Sequence, residues 1–274
     1  MSYLEYIGQN ANRIGVERQA PFTVEEVYRK RLDDLRAIDN EFFQNRLDGL
    51  LGVSLTREYV KASFARSTYT GFVATMLWGG LGLSGWSHLV DAMTIDKQEV
   101  ETKIKNLRYL LREDRIEEGF KSLQISRDNP LPQNKFAGVD ISYFTKLLFF
   151  LYDGDSPVPP IIFDKWGTYI HAGILISMKE FELLNTYYKM GYDSKRRFFL
   201  QIKSNRSTQY RYSVYADYIR RMAKLSFEYK LSNPGVLEEF LFGKDLKRVE
   251  NRNDLNPRYF VKNYVQRYFD GLTR

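Results

Sequence analysis

Cysteine is absent from all 274 residues. Disulfides, thiolate zinc sites, cysteine nucleophiles and cysteine-ligated iron–sulfur clusters are excluded together. Histidine is nearly as scarce. His88 and His171 stand far apart and lack a metal-ligand spacing such as His-Glu-x-x-His, so both read as structural or surface residues, with no metal expected. No apolar run reaches the roughly 20 residues a bilayer-spanning helix needs, and Met1 to Asn12 shows no basic stretch followed by an apolar core. The expectation is a cytoplasmic protein without a membrane partner. Repeats, low-complexity tracts and interdomain linkers are missing as well.

What is present is a composition suited to a packed core, with 43% hydrophobic and 15% aromatic residues. The net charge is +7, and it is unevenly placed. Between Lys189 and Lys230 there are 11 basic residues, among them Lys195, Arg196 and Arg197, against 3 acids (Asp193, Asp217 and Glu228). Tyr187, Tyr188, Tyr192, Phe198, Phe199, Tyr210, Tyr212 and Tyr215 are interleaved with them. Cations beside stacking groups suit a nucleic-acid backbone. A solvated helix surface with core-facing aromatics has the same pattern, and membranes or acidic proteins attract the same charge.

Helical periodicity dominates. Thr23 precedes Glu25 and Glu26 as an N-cap, with Val27, Leu32, Leu35 and Ile38 following at helical spacing. Thr56 opens a second helix, Thr70 to Trp78 is apolar all round like a central buried helix, and further helices are predicted over 97–111 and 115–123. Asp128 to Pro132 breaks the pattern. A turn at Gly138 leads into a helix over 141–152. The prolines at 159 and 160 keep the next segment extended until Asp164 caps a helix running toward Ile174. Arg197 to Ile202 fits strand or helix equally, and 212–229, 235–242 and 257–269 read as helices. The architecture is expected to be mainly or wholly α-helical.

Gly80-Leu81-Gly82-Leu83-Ser84-Gly85 matches the G-x-G-x-x-G dinucleotide pattern. That pattern works only between a strand and a helix with a second strand beyond. A charged helix follows instead, so the glycines are expected to form a turn between helices, and no organic cofactor is implied.

Two segments carry the candidate chemistry. Gly138 to Leu151 places Lys146 in the most apolar stretch of the chain, and Pro159 to Asp164 delivers a carboxylate at a helix start. Buried charges are costly unless they pair or work. An amine among Phe144, Leu147, Phe149 and Phe150 is in surroundings that favour the neutral, nucleophilic form. Lys146 equally suits a packed stem with its ammonium reaching water, and Asp164 a plain helix cap. Gly138-Val139-Asp140 has the look of a helix-hairpin-helix turn, whose amides at the start of the second helix can hold a DNA phosphate. An ordinary helical hairpin has the same sequence features.

Phe-Ala-Gly-Val-Asp-Ile-Ser-Tyr-Phe-Thr-Lys-Leu-Leu-Phe-Phe-Leu at 136–151 and Pro-Ile-Ile-Phe-Asp-Lys-Trp at 160–166 resemble the bacterial 8-oxoguanine DNA glycosylase-like proteins. Phe72 to Gly79, Tyr212 to Ala223 and Leu237 to Phe242 support the likeness. The resemblance implies an all-α, helix-hairpin-helix glycosylase fold with two helical lobes and a cleft between them, formed by residues 1–274 as a single domain. Residues 1–20 would be an N-terminal extension, and 134–166 the hairpin and catalytic segment. It further implies a monomer acting on double-stranded DNA with a modified base flipped out of the stack. The base would be 8-oxoguanine or a hypermodified phage base such as glucosylated hydroxymethylcytosine, in repair or in phage defence.

In that frame Lys146 attacks the sugar C1′ and Asp164 stabilises cationic charge or assists proton transfer. Gly138, Val139, Asp140, Ser142, Lys195, Arg196 and Arg197 contact DNA. Trp78, Trp86, Tyr143, Trp166 and Tyr212 are candidates for the base pocket. Asp140 stands where a second hairpin glycine is usual, and Lys146 lies one turn beyond the usual lysine position, near Ser142; one turn preserves the helix face. A noncatalytic helical DNA-binding protein and a helical module for an acidic partner remain the alternatives.

Overall fold

Short-range chemistry sets where the helices begin. Thr23 and Thr56 accept hydrogen bonds from the amides of Glu26 and Tyr59, and the Glu26 carboxylate accepts in turn from the Thr23 amide, closing a capping box. The computed structural model describes residues 1–17, 19–203, 207–243 and 256–272. Arg206 of the basic region lies outside them.

The elements in chain order are α1 (Tyr3–Gln9), a 3-10 turn (Ala11–Arg13), α2 (Val24–Tyr28), α3 (Leu32–Arg36), α4 (Glu41–Asp48), α5 (Arg57–Arg66), α6 (Thr68–Trp78), α7 (Trp86–Met93), α8 (Lys97–Arg112), α9 (Ile116–Leu123), α10 (Ile141–Leu151), α11 (Lys165–Ser177), α12 (Phe181–Tyr187), β1 (Tyr188–Tyr192), β2 (Phe198–Ile202), α13 (Thr208–Glu228), α14 (Pro234–Phe242) and α15 (Pro257–Leu272). Among the described residues the fold is all-α apart from one antiparallel hairpin, in which Tyr188 pairs with Ile202 and Tyr192 with Phe198. Among the described residues no helix is long and apolar enough to cross a membrane.

The chain packs as two helical units, an internal one (Pro21–Ile162) and a terminal one (Met1–Ala20 with Phe163–Arg274). In the internal unit α6 is the central helix, as its sequence predicts: every residue from Gly71 to Trp78 is buried. Helices α4, α5, α8 and α10 surround it. Gly71 permits the α5 approach, since a Cβ there would lie 2.3 Å from the Phe64 ring. The periodic stretch after Thr23 is two helices rather than one. The Arg31 amide turns back onto the Tyr28 carbonyl, while the Tyr28 hydroxyl reaches the Leu81 carbonyl at 2.8 Å.

In the terminal unit α11 is central, with α1, α12, α14, α15 and β2 against it. Residues 1–20, expected as an extension, supply α1 and its fully buried Tyr3. A Cβ at Gly173 would lie 2.8 Å from both the Tyr3 ring and the Val261 side chain, so α1 and α15 meet α11 at a position only glycine allows.

Candidate active site

The segment before α10 is irregular from Gln124 to Asp140, because Pro130 and Pro132 exclude helix there. The turn at Gly138 therefore follows a loop, where the sequence suggested a helix. The loop is tied to the end of α9: the Asn134 amide donates to the Ser122 carbonyl (2.9 Å) and the Asn129 side chain to the Lys121 carbonyl (2.9 Å). Gly138 has φ +67°, and a Cβ there would lie 2.1 Å from the His88 carbonyl oxygen. Val139 is buried, and its carbonyl accepts from the Lys135 ammonium. Burial lowers the Lys135 pKa, against the opposing pull of Asp140. Asp140 caps α10, with Oδ1 accepting from the Ser142 amide at 3.0 Å. The extra carboxylate at this turn thus engages one of the amides a phosphate would use.

Lys146 is 5% exposed. Its stem leans toward the helix N-terminus, as helical side chains do, and Nζ donates to the Ser142 carbonyl at 2.7 Å. The amine is thereby carried back one turn, to the end of α10 where the Gly138 turn lies. It sits 5.0 Å from the centre of the Tyr143 ring. Gly79 makes room for both side chains: a Cβ there would lie 3.1 Å from Lys146 Cδ and 3.1 Å from Tyr143 Cδ1.

The glycine-rich loop closes this arrangement. Tyr143 donates to the Gly80 carbonyl at 3.2 Å, and Gly80 and Gly82 have φ of +72° and +89°. The preceding residues are helix α6, so the loop joins two helices and the dinucleotide pattern lacks its strand. Trp78 is buried at the end of α6, edge-on to Phe150 and under the Arg57 guanidinium at 5.6 Å. Arg57 also covers Phe149 at 5.3 Å, a buried arginine that its position in a polar first turn concealed. Trp86 is half-buried on α7, beneath Arg31 at 5.0 Å. The internal unit thus gathers Lys146, Tyr143 and the 79–81 loop next to Trp78.

Asp164 belongs to the terminal unit. Its Oδ1 accepts from the Trp166 amide at 2.7 Å and the Gly167 amide at 3.4 Å, making it the N-cap of α11. Trp166 packs under the guanidinium of buried Arg258 at 5.2 Å. The Tyr218 hydroxyl is held well above its ordinary pKa by burial, then by the charges of Glu238 and Asp164. Glu238 is fully buried, which the pattern of α14 did not reveal. Tyr212 is half-buried on α13. Lys195, Arg196 and Arg197 are exposed at the tip of the β1–β2 hairpin. The sequence of β2 fits helix or strand equally, and β1 lies in the basic region with no strand signal of its own.

His171, a structural histidine from sequence, is fully buried within a polar chain. Its Nδ1 meets the Tyr188 hydroxyl at 2.7 Å and Nε2 the Asp217 carboxylate at 2.9 Å. Arg221 bridges Asp217 (2.8 Å) to Glu180 (2.6 Å). Burial lowers the His171 pKa. Burial alone would raise Asp217, but hydrogen bonds from His171 and Arg221 outweigh it and hold the carboxyl at about 2.

The chain is thus mainly helical, with a buried amine on α10 and, in the other unit, a carboxylate capping α11. Residues 14–242 match the family described as "Putative 8-oxoguanine DNA glycosylase OGG-like protein", and the chain belongs to that family. The match includes the Gly138 turn, Lys146 and Asp164. No curated protein and no solved structure matches the chain.

Proposed function

We propose that the protein excises oxidised guanine from double-stranded DNA and cuts the strand through an imine on Lys146. The observation that carries this reading is the buried Lys146 amine, turned back onto the Ser142 carbonyl at the start of α10.

In the proposed reaction the amine of Lys146 attacks C1′. The electron pair of the C1′–N bond leaves with the base, which takes up a proton. The sugar ring then opens at the C1′–O4′ bond to give an iminium, with O4′ protonated. Loss of a C2′ proton expels the 3′-phosphate. Asp164, held by the α11 amides, stabilises the cationic sugar better than mobile water can. The backbone at Gly138 to Ser142 meets a phosphate flanking the flipped nucleotide, and Tyr143 lines the approach to the base.

The test is base release from duplexes containing 8-oxoguanine, uracil or glucosylated hydroxymethylcytosine, read by mass spectrometry, with borohydride trapping of the imine. Release and trapping on 8-oxoguanine, both lost in Lys146→Gln and release strongly reduced in Asp164→Asn, are expected. Release that survives Lys146→Gln would overturn the lysine's role. Tight binding with no base released from any duplex would leave a noncatalytic DNA-binding protein.

A further inference from the structure

The β1–β2 hairpin presents two unlike faces. Directly paired residues share a face of an antiparallel ladder, so Tyr188, Met190, Tyr192, Phe198, Leu200 and Ile202 form one side. That side carries the hairpin's packing contacts: Phe198 lies against Tyr169 and Phe269, and exposed Tyr192 donates its hydroxyl to Asp270 at 2.6 Å. At the root, Tyr188 is bonded to buried His171, which is locked through Asp217 and Arg221 to Glu180. The hairpin is thus anchored along its length to helices of its own unit.

The opposite face carries Lys189 across from Gln201 and Gly191 across from Phe199, with Lys203 just beyond β2. The Phe199 ring packs close to Gly191, where a Cβ would lie 3.0 Å from its outer end. Lys189 Nζ stands 6.0 Å from the centre of that ring. At the tip Asp193 accepts from the amides of Lys195 (2.9 Å) and Arg197 (2.9 Å) and from the Arg197 guanidinium (2.8 Å). This ordering holds Arg196 at φ +56° and presents Lys195 and Arg196 outward. From Tyr188 to Lys203 the segment has five cations and a single carboxylate, and that carboxylate is spent on the turn.

We infer that this hairpin is a rigid basic arm that grips the phosphate backbone of duplex DNA, through Lys195 and Arg196 at its tip and Lys189 and Lys203 on its outer face. The inference rests on the reading of DNA as the partner. Charge complementarity selects the occupant: a basic face about 10 Å long along the strand meets a backbone bearing one charge per roughly 3.4 Å per strand. Phosphate contacts of this kind fix register and orientation without reading sequence, leaving base choice to the pocket.

The experiment measures binding of the full chain to an 8-oxoguanine duplex by fluorescence anisotropy between 50 and 200 mM salt, conditions set by the range over which counterion release is read. The variants are Lys195→Gln/Arg196→Gln and Lys189→Gln/Lys203→Gln. All four side chains are exposed, so melting temperatures should match the parent. Each double variant should bind on the order of tenfold more weakly, and its slope of log K against log salt should shrink by about 1.8, the loss of two phosphate contacts. Unchanged affinity and slope in both variants, with base release intact in the parent, would overturn the arm and leave the glycosylase reading standing. The expected slope changes without base release from any duplex would uphold the arm and remove the glycosylase. A parent that binds no duplex would overturn both.

Discussion

Gly138 lies so close to the backbone of His88 that a Cβ on it would sit 2.1 Å from the His88 carbonyl oxygen. Its φ of +67° independently disfavours any side chain. Gly138→Ala therefore combines a strained backbone with a backbone clash that no rotamer relieves. A loss of about 2 kcal/mol or more is expected in chemical denaturation. A variant within about 0.5 kcal/mol of the parent would show that the turn does not depend on this approach.

Gly79 lies beside the lysine stem rather than under a strained turn. Its φ of −69° accepts alanine, but a new Cβ would meet Lys146 Cδ and Tyr143 Cδ1, each at 3.1 Å. Gly79→Ala should thus cost little stability and displace the amine. Single-turnover imine trapping should slow by on the order of tenfold or more, with melting nearly unchanged. Parent-like trapping would remove Gly79 from the positioning of Lys146.

Asp140 engages the Ser142 amide and places negative charge where a phosphate would dock. Asp140→Gly retains most of the capping stability, at a cost of a few tenths of a kcal/mol. If the start of α10 holds a phosphate, this variant binds duplex DNA more tightly at low salt, and the gain fades as salt screens it. Weaker binding would mean that the amides of α10 hold no phosphate.

His171 and Asp217 set the acid limit of the terminal unit. Both have folded pKa values below their ordinary ones of 6.5 and 3.8. A group depressed in this way binds fewer protons folded than unfolded, so stability rises with pH between the two values. The full contribution is present above pH 6.5 and declines below it as unfolded histidine takes up a proton. A further loss follows between pH 3.8 and about 2 from Asp217. The urea midpoint should fall from pH 7 to pH 5 in the parent and stay flatter in His171→Gln, whose amide can still donate to Asp217 without titrating. Equal pH dependence in both would contradict the assignment.

Arg221 joins two carboxylates with its side chain 14% exposed. Arg221→Leu leaves Asp217 and Glu180 facing each other without their shared cation. A cost of about 2 to 4 kcal/mol is expected, since removing one member of a largely buried pair strands the other. Thermal melts of the variant and of Arg221→Lys separate charge from fork geometry, with only partial rescue expected from lysine.

Helix starts were legible at some positions where a single side chain decides them, but not at Ser2 and Asn40, which cap α1 and α4. Thr23, Thr56 and Asp164 each bond an amide two or three residues ahead, which needs no tertiary partner. The turn between α2 and α3 was not legible, because apolar spacing continues through it while the Tyr28 hydroxyl is drawn to Leu81. The hairpin strand Tyr188–Tyr192 was missed for a similar reason: its partner lies across the Asp193 turn, and strand pairing is a contact between segments rather than a property of one.

The order of the residues alone determined that the chain is helical, that residues 70–78 form a buried helix, that Lys146 sits in an apolar segment, and that Asp164 begins a helix. These follow from periodicity and capping, whose range is a few residues. Only the tertiary structure decided that Gly79 adjoins the Lys146 stem, that His171 bonds an aspartate 46 positions away, and that a basic stretch becomes a two-stranded hairpin. Those pairings depend on which helices pack together, a choice made by burying shared apolar surface across the whole chain.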